Sequence, residues 1–134
     1  MKSSTAQKIW ILLIAFVFTF IGFMIKLPSV FRSMDQELHA LFYFLAAAFL
    51  NILFGIKKLF PHVLIFSLLH LFGITIEYLQ AYSNRFFKTR IHGRYDPVDV
   101  EYNLKGLIFF SMLWVVSMGI LTIYKKSLTK NQNK

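Results

Sequence analysis

Apolar residues are concentrated in four long runs that are separated by shorter polar segments. The runs cover residues 9–25, 38–56, 62–82 and 104–124. A helix needs ~20 apolar residues, and at least ~17, to cross a hydrocarbon core that is about 30 Å thick. The pattern therefore predicts an all-α, polytopic membrane protein, a bundle of four transmembrane helices. With their polar first turns included, the predicted helices are residues 9–25, 34–56, 62–82 and 97–124.

Local signals refine the helix starts. Ser33 and Gln36 fit a capping box at the start of the second helix. Asp96 and Pro97 fit an N-cap residue followed by proline at the first helical position, so we expect the fourth helix to begin at Pro97. The domain prediction is a four-helix transmembrane domain over residues 1–126 and a basic, disordered cytoplasmic tail over residues 127–134.

The first apolar run differs from a secretory signal peptide. Lys2 and Lys8 precede it, as basic residues precede a signal core. The run is longer than a normal signal core, and Lys26-Leu27-Pro28 follows it where a small-residue cleavage site is expected. We therefore expect an uncleaved first helix.

The amino-acid composition argues against a soluble protein, thiol chemistry and nucleic-acid binding. Apolar residues make up 57% of the 134 positions, more than one soluble core of this size buries. Cysteine is absent, which excludes disulfides, thiolate metal sites and thiol catalysis. The formal charge of +9 comes from short clusters such as Lys57-Lys58 and Lys125-Lys126, with no continuous basic face, so nucleic acid is not an expected partner. These clusters flank the apolar runs, as the cations that anchor transmembrane helices do.

The distribution of basic residues also bears on orientation. With the N-terminus inside, eight lysines lie on the inner side and six lysines and arginines lie in the two outer loops. The positive-inside rule then favours cytoplasmic N- and C-termini by a small margin.

Unusual polar residues gather at one end of the predicted bundle, because four helices place the first and third loops on the same membrane face. Asp35, His39 and Tyr43 are spaced at i, i+4 and i+8 and form one stripe on the second helix. Residues from the third and fourth segments join them at the same level. The candidate ligand-binding residues are Asp35, His39, Tyr43, Glu77, Gln80, Arg94, Asp99 and Asn103.

Glu77 is the sharpest of these candidates, because an ionisable residue inside a membrane needs a partner or water and by default marks a functional site. Its expected partners are Arg94, Arg85 or Lys105, and His39 and Gln80 are expected to satisfy its remaining lone pairs. His70 and Asn51 are expected to form interhelical hydrogen bonds rather than to bind a ligand, and Gly73 and Gly106 to allow close helix packing.

Simpler roles stay open for several of these residues. Asp96 and Asp99 fit helix capping and charge compensation at the start of the fourth helix, and Asp35 fits the same role on the second. The basic residues of the third loop fit contacts with lipid phosphates.

Three ordered motifs resemble the VanZ-like family. Asp35-Gln36-Glu37-Leu38-His39 with Tyr43 is similar to the family's Asp-Lys-x-x-His and downstream Tyr. Glu77-x-x-Gln80 resembles its Glu-x-x-Gln, and the series Arg94, Asp99, Asn103 and Gly106 resembles its signature at the last helix. Two positions depart from the pattern: Gln36 replaces the usual lysine, and Phe110 replaces a frequent second glycine.

The resemblance implies a bacterial cytoplasmic membrane protein of the cell envelope. The family's naming member is associated with reduced susceptibility to teicoplanin, a lipoglycopeptide, without modification of the peptidoglycan precursor. The resemblance therefore implies an envelope role but no reaction.

Three functions are compatible with the polar cluster. The leading hypothesis is a non-catalytic protein that binds lipid headgroups or a lipid-anchored amphiphile, with no cofactor and no metal. The alternative is a membrane-embedded enzyme that acts on a lipid-linked phosphate or ester, with His39 as general base and Asp99 and Glu77 orienting it or holding a divalent metal. The third is a structural subunit, in a homo-oligomer or with another envelope protein, whose polar residues join its own helices.

Overall fold

The structure, a computed structural model, describes residues 4–25, 34–86 and 94–132. The described chain forms four α-helices, which are α1 (Thr5–Met24), α2 (Asp35–Phe54), α3 (Leu59–Ser83) and α4 (Pro97–Gln132). One 3₁₀ turn, Asn84–Phe86, follows α3. All four α-helices are long and apolar enough to cross a membrane, and none of the described residues lies in a β-strand. The predicted fold class is confirmed: the chain is an all-α polytopic membrane protein with four transmembrane helices.

Helix α1 begins four residues before the predicted start at residue 9. Ser4 is its N-cap, and the Ser4 hydroxyl oxygen accepts a hydrogen bond from the Gln7 backbone N–H at 3.2 Å. The Gln7 side chain accepts one in return from the Ser4 backbone N–H at 2.8 Å. This reciprocal capping box satisfies two backbone donors and extends the helix beyond its apolar run.

The start of α2 differs from the capping box expected at Ser33 and Gln36. Ser33 lies outside the described residues, and the N-cap of α2 is Met34, whose side chain makes no capping hydrogen bond. Asp35 and Glu37 instead place two acidic groups in the first turn, where they complement the positive end of the helix dipole.

Helix α4 starts at Pro97, where the sequence predicted it, and continues to Gln132. The prediction of a disordered tail from residue 127 is therefore wrong over residues 127–132. At about 1.5 Å per residue, the 36 residues of α4 span roughly 54 Å, well beyond a 30 Å hydrocarbon core. Residues 125–132 form about two turns past the last apolar run, because lysine, leucine and glutamine continue a helix readily.

Helices α2, α3 and α4 enclose the core, and α1 lies at its side. No side chain of α1 is buried, and its main neighbour is α3. The buried apolar core is small and centres on Tyr43, Ala47 and Leu107. Most large apolar side chains face outward, as expected for a surface in contact with lipid.

The closest helix packing occurs between α2 and α4, which run in the same direction. His39 and Phe44 of α2 meet Asn103 and Phe110 of α4 in the same order along both helices. Helix α3 runs in the opposite direction, because its early residue His62 contacts Asn51 and its later residue Gly73 lies near Tyr43. Helices within a membrane gain little from the hydrophobic effect, so close packing and interhelical hydrogen bonds hold this arrangement.

Candidate functional site

The stripe on α2 faces α3 and α4 at the end of the bundle where loops one and three leave it. Tyr43 is fully buried and His39 is 7% exposed, whereas Asp35 is half-buried in the first turn. Spacings of four residues stack the three side chains on one helix face. The stripe therefore leads from the membrane surface at Asp35 to the core at Tyr43.

His39 is joined to α4 through Asn103. The Nδ1 atom of His39 lies 2.9 Å from Oδ1 of Asn103, and both side chains are buried. An amide oxygen only accepts hydrogen bonds, so Nδ1 of His39 is the donor. The other ring nitrogen, Nε2, then faces Oδ1 of Asp35 at 3.9 Å, a distance longer than a hydrogen bond.

Asp99 completes a group of three side chains at the entrance to the bundle. One ligand atom from each of Asp35, His39 and Asp99 lies within 4.8 Å of the other two. Asp99 is half-buried in the first turn of α4, one turn before Asn103. The sequence predicted that these residues share a membrane face, and the tertiary fold brings their ligating atoms together.

Glu77 of α3 is held by the start of α4. Its side chain is 3% exposed, and Oε2 accepts a hydrogen bond from the Asp96 backbone N–H at 3.2 Å. The other carboxylate oxygen, Oε1, is buried and has no hydrogen-bond partner among the described residues. An unpaired acceptor at this depth is costly, so it indicates a place where a ligand or water donates a hydrogen bond.

The prediction that Arg94, Arg85 or Lys105 pairs with Glu77 is wrong: none of the three forms an ion pair with Glu77 among the described residues. Lys105 pairs instead with Glu101 at 2.9 Å, because the two lie at i and i+4 on an exposed face of α4. The Arg85 guanidinium lies over the Tyr82 ring, and Arg94 is exposed and forms no ion pair with Glu77.

Two further buried polar atoms lie against Gly73. A Cβ atom on Gly73 would sit 2.8 Å from Nδ2 of Asn103 and 3.0 Å from the Tyr43 hydroxyl oxygen. Neither of these atoms has a hydrogen-bond partner within the described chain. Gly73 therefore leaves room for these two polar groups, which would have to shift to admit a larger side chain. Glu77 follows one turn later on the same helix. We call Tyr43, Gly73, Glu77 and Asn103 the unsatisfied pocket.

Gln80 lies apart from this pocket. Its side-chain amide donates a hydrogen bond to the backbone carbonyl oxygen of Phe23 at 2.7 Å and so joins the ends of α3 and α1. The third-loop residues Lys88, Arg90 and His92 lie outside the described residues.

The capping roles considered for the aspartates are also present. Oδ1 of Asp96 accepts a hydrogen bond from the Val98 backbone N–H at 2.8 Å, which makes Asp96 the cap of α4. Asp35 and Asp99 both lie in first turns, where a negative charge is favoured. The starts of α2 and α4 therefore supply acidic residues both to the helix ends and to the site.

A second polar cluster, at the opposite end of the bundle, centres on a histidine that the sequence did not single out. His62 is 4% exposed, and its two ring nitrogens lie 3.0 Å from Oδ1 of Asn51 and 3.0 Å from the Ser111 hydroxyl oxygen. Its ring stacks on Trp114 with centroids 4.2 Å apart. We call Asn51, His62, Ser111 and Trp114 the inner cluster.

The inner cluster gives Asn51 the interhelical role that the sequence indicated. His62 was missed because it stands at the edge of an apolar run and has no flanking motif. The interhelical hydrogen bond expected for His70 is not found at its Nδ1 atom, which is buried and has no hydrogen-bond partner in the described chain.

Aromatic side chains mark the membrane level of the unsatisfied pocket. Tyr78 and Tyr95 stack with ring centroids 4.6 Å apart, and Lys105 lies 4.0 Å from the centroid of the Tyr102 ring. Tyrosines with neighbouring cations are typical of the boundary between hydrocarbon and headgroups. The unsatisfied pocket therefore lies near the headgroup level.

These features define a class, a polytopic α-helical membrane protein with a buried polar cluster shared by three helices at one membrane face. Comparison of the chain with protein-family models, curated proteins and solved structures found no match. The resemblance to the VanZ-like family thus depends on the sequence motifs alone.

Proposed function

We propose that this chain is a non-catalytic membrane protein whose unsatisfied pocket binds the polar headgroup of a lipid or a lipid-anchored amphiphile. The observation that carries the proposal is the group of buried polar atoms without partners in the described chain: the Tyr43 hydroxyl, Oε1 of Glu77 and Nδ2 of Asn103. Their place near the headgroup level makes a membrane amphiphile the nearest source of partners.

The inner cluster supplies an internal comparison. There, both ring nitrogens of His62 have partners, and the Asn51 amide also donates to the Ala47 carbonyl oxygen at 2.8 Å. Polar residues that only join helices satisfy one another in this way. The unsatisfied pocket does not, which favours ligand binding over a purely structural role.

The free carboxylate oxygen of Glu77 favours a headgroup that carries a hydrogen-bond donor, whereas Nδ2 of Asn103 needs an acceptor. In the ionised form of Glu77, Oε1 accepts hydrogen bonds only, whereas the Tyr43 hydroxyl both donates and accepts. An ammonium group or a hydroxyl group on the ligand supplies the missing donor. The exposed residue Arg94, three positions before α4, supplies a cation for the neighbouring phosphate in this proposal.

The test uses purified protein in lipid nanodiscs with three headgroups of equal phosphate content: phosphatidylethanolamine, phosphatidylglycerol and phosphatidylcholine. We expect retained lipid, measured by native mass spectrometry, in the first two cases and little in the third, because choline has no N–H or O–H donor. A preference for ethanolamine alone identifies ammonium as the donor, and equal retention with glycerol identifies a general donor.

Variants tie the result to the pocket. Tyr43→Phe and Glu77→Gln are expected to reduce lipid retention several-fold. Tyr78→Phe removes the same hydroxyl group from an exposed tyrosine at the same membrane level and is expected to bind normally. Equal retention by all three variants, or equal retention of all three lipids, would refute the proposal.

The VanZ-like motifs extend the proposal to the bacterial envelope. We propose a bacterial cytoplasmic membrane location, with both termini in the cytoplasm, and lowered susceptibility to lipoglycopeptides such as teicoplanin. Expression of the native chain in a susceptible host is expected to protect the cells, and Asp99→Asn is expected to abolish protection at equal membrane abundance. Loss of abundance in Asp99→Asn would support a structural role instead.

A catalytic role is the second candidate, and the orientation of His39 is the observation that favours it. Asn103 fixes one ring nitrogen while the other faces Asp35, as in a histidine positioned for proton transfer. His39, Glu77 and Asp99 are the catalytic residues under this hypothesis. Turnover of a labelled lipid-linked phosphate or ester by the native protein, and its loss in His39→Gln, would establish it.

A further inference from the structure

Three metal-ligating side chains meet where α2 and α4 enter the membrane. Asp35 and His39 come from α2 and Asp99 comes from α4, and their ligating atoms lie within 4.8 Å of one another. Two are carboxylates at helix starts, but the third is a buried imidazole whose Nε2 atom faces Oδ1 of Asp35 at 3.9 Å. The group therefore combines two ligand types and differs from a simple cluster of acidic caps.

The imidazole is already oriented as a metal ligand. Nδ1 of His39 donates to Oδ1 of Asn103 at 2.9 Å, which assigns the lone pair of the neutral ring to Nε2. Metal-binding histidines usually donate their second ring N–H to a carboxylate or carbonyl oxygen in this way. Asn103 thus holds the ring so that the free nitrogen faces Asp35, and the ligating atom of Asp99 lies within 4.8 Å of this group.

Electrostatics favour a cation at this point. Oδ1 of Asp35 is buried and has no hydrogen-bond partner among the described residues. Asp99 lies near enough to Asp35 and Asp96 for their charges to interact. No lysine or arginine in the described ranges forms an ion pair with Asp35, Asp96 or Asp99. Several carboxylates near the low-dielectric core are costly unless a positive charge compensates them.

We propose that Asp35, His39 and Asp99 bind a divalent transition metal ion, with Zn²⁺ preferred. One imidazole nitrogen and two carboxylate oxygens are a ligand set that zinc accepts, whereas Mg²⁺ and Ca²⁺ prefer oxygen ligands alone. Ligand atoms around a tetrahedral zinc ion lie about 3.4 Å apart, so small side-chain rotations bring the three atoms into place. Zinc is also favoured over manganese at such sites.

Three protein ligands leave one coordination position for water or a ligand oxygen. The Asp35 side chain is 39% exposed, so one of the three ligand residues reaches the protein surface at the membrane boundary. A phosphate or carboxylate oxygen of an amphiphile fits there. The three metal ligands are distinct from the donor-binding residues Tyr43 and Glu77, and only Asn103 contacts both groups, through different atoms of its amide. The metal site departs from the sequence-based expectation of no metal.

The experiment measures zinc binding by the full chain, purified in detergent through a tag without histidine. The absence of cysteine removes thiolates as competing ligands. After treatment with a chelator, the protein is loaded with Zn²⁺ or Mn²⁺, passed through a desalting column and analysed by inductively coupled plasma mass spectrometry. We expect one zinc ion per chain and a rise in melting temperature with zinc concentration.

Matched variants locate the site. Asp35→Asn and Asp99→Asn are expected to lose bound zinc, whereas Glu37→Gln, which alters an exposed acid in the same first turn of α2, keeps it. Asn103→Ala leaves all three ligands in place and is expected to weaken zinc binding by about 10–100-fold, because it removes the acceptor that orients His39.

The proposal is overturned if the native chain retains no zinc after loading, or if Asp35→Asn and Asp99→Asn retain as much zinc as Glu37→Gln. Circular dichroism of each variant shows whether the helices are intact. If Asp99→Asn does not fold, Asp35→Asn decides the matter, because Asp35 is half-exposed at a helix end. Lipid retention by zinc-free protein separates this result from the proposed function.

Discussion

Gly106 of α4 lies directly against the backbone of Ala40 in α2. A Cβ atom at position 106 would approach the Ala40 carbonyl carbon to 2.9 Å and would come closer still to its oxygen. Backbone atoms cannot rotate away as a flexible side chain does. The α2–α4 pair, which carries the His39–Asn103 hydrogen bond, therefore requires glycine at this crossing.

Gly106→Ala is expected to destabilise the protein by about 1–3 kcal/mol, because it overpacks a helix crossing. The matched control is Gly119→Ala in the same helix, where an added Cβ meets nothing within 4 Å. That substitution is expected to leave stability unchanged or to raise it by up to about 1 kcal/mol through helix propensity. Thermal unfolding in detergent compares them, and equal melting temperatures would contradict the packing argument.

Two hydroxyl groups are expected to differ in their effect on stability. Ser111→Ala removes a partner of His62 and is expected to cost about 1–3 kcal/mol, since it leaves a buried ring nitrogen unpaired. Tyr43→Phe removes a hydroxyl that has no partner among the described residues, so the ligand-free protein is expected to lose no stability.

The two hydroxyl variants are compared by thermal unfolding of ligand-free protein in the same detergent. A loss for Tyr43→Phe as large as that for Ser111→Ala would show that the Tyr43 hydroxyl stabilises the fold. The unsatisfied pocket would then be structural rather than a binding site.

The hydrogen bond between His39 and Asn103 is expected to contribute modestly to stability. A double-mutant cycle with His39→Ala, Asn103→Ala and the double variant should give a coupling energy of about 0.6 kcal/mol, and up to ~1.7 kcal/mol, the range found for interhelical hydrogen bonds in membranes. A coupling energy of zero would mean that the two side chains do not interact in the folded protein.

The proposed orientation is tested by single cysteines, because the native chain has none. Arg85→Cys lies at the end of the bundle that carries the unsatisfied pocket, and Ser127→Cys lies in the last part of α4. A membrane-impermeant maleimide is expected to label Arg85→Cys in intact cells and Ser127→Cys only after lysis. The reverse pattern would place the pocket on the cytoplasmic side.

Several features of the fold were readable from local sequence. The start of α4 follows from Asp96 and Pro97, because capping depends on residues only a few positions apart. The start of α1 is also encoded locally, in Ser4 and Gln7, which lie outside the apolar run that predicted this helix. The helical end of α4 was missed because charged residues outside a membrane are compatible with both helix and disorder.

Partners across helices were harder to predict. Glu77 was expected to pair with a cation, but it accepts a hydrogen bond from the Asp96 backbone N–H instead. Lys105 forms its ion pair with Glu101. No motif in the sequence marks His62, whose partners Asn51, Ser111 and Trp114 come from other helices. Each of these contacts depends on the rotation of one helix against another, which the spacing of residues within a helix does not specify.

The sequence by itself determined four membrane-crossing helices and the membrane face on which Asp35, His39, Glu77, Asp99 and Asn103 lie, because hydrophobic length and residue spacing fix depth and helix face. The tertiary structure decided which atoms meet. Close approach at Gly106 and Gly73 brings α2, α3 and α4 together, joins His39 to Asn103, and leaves the Tyr43 hydroxyl and the free Glu77 oxygen without partners among the described residues. These interhelical contacts follow from helix packing, which makes neighbours of residues that are far apart in sequence.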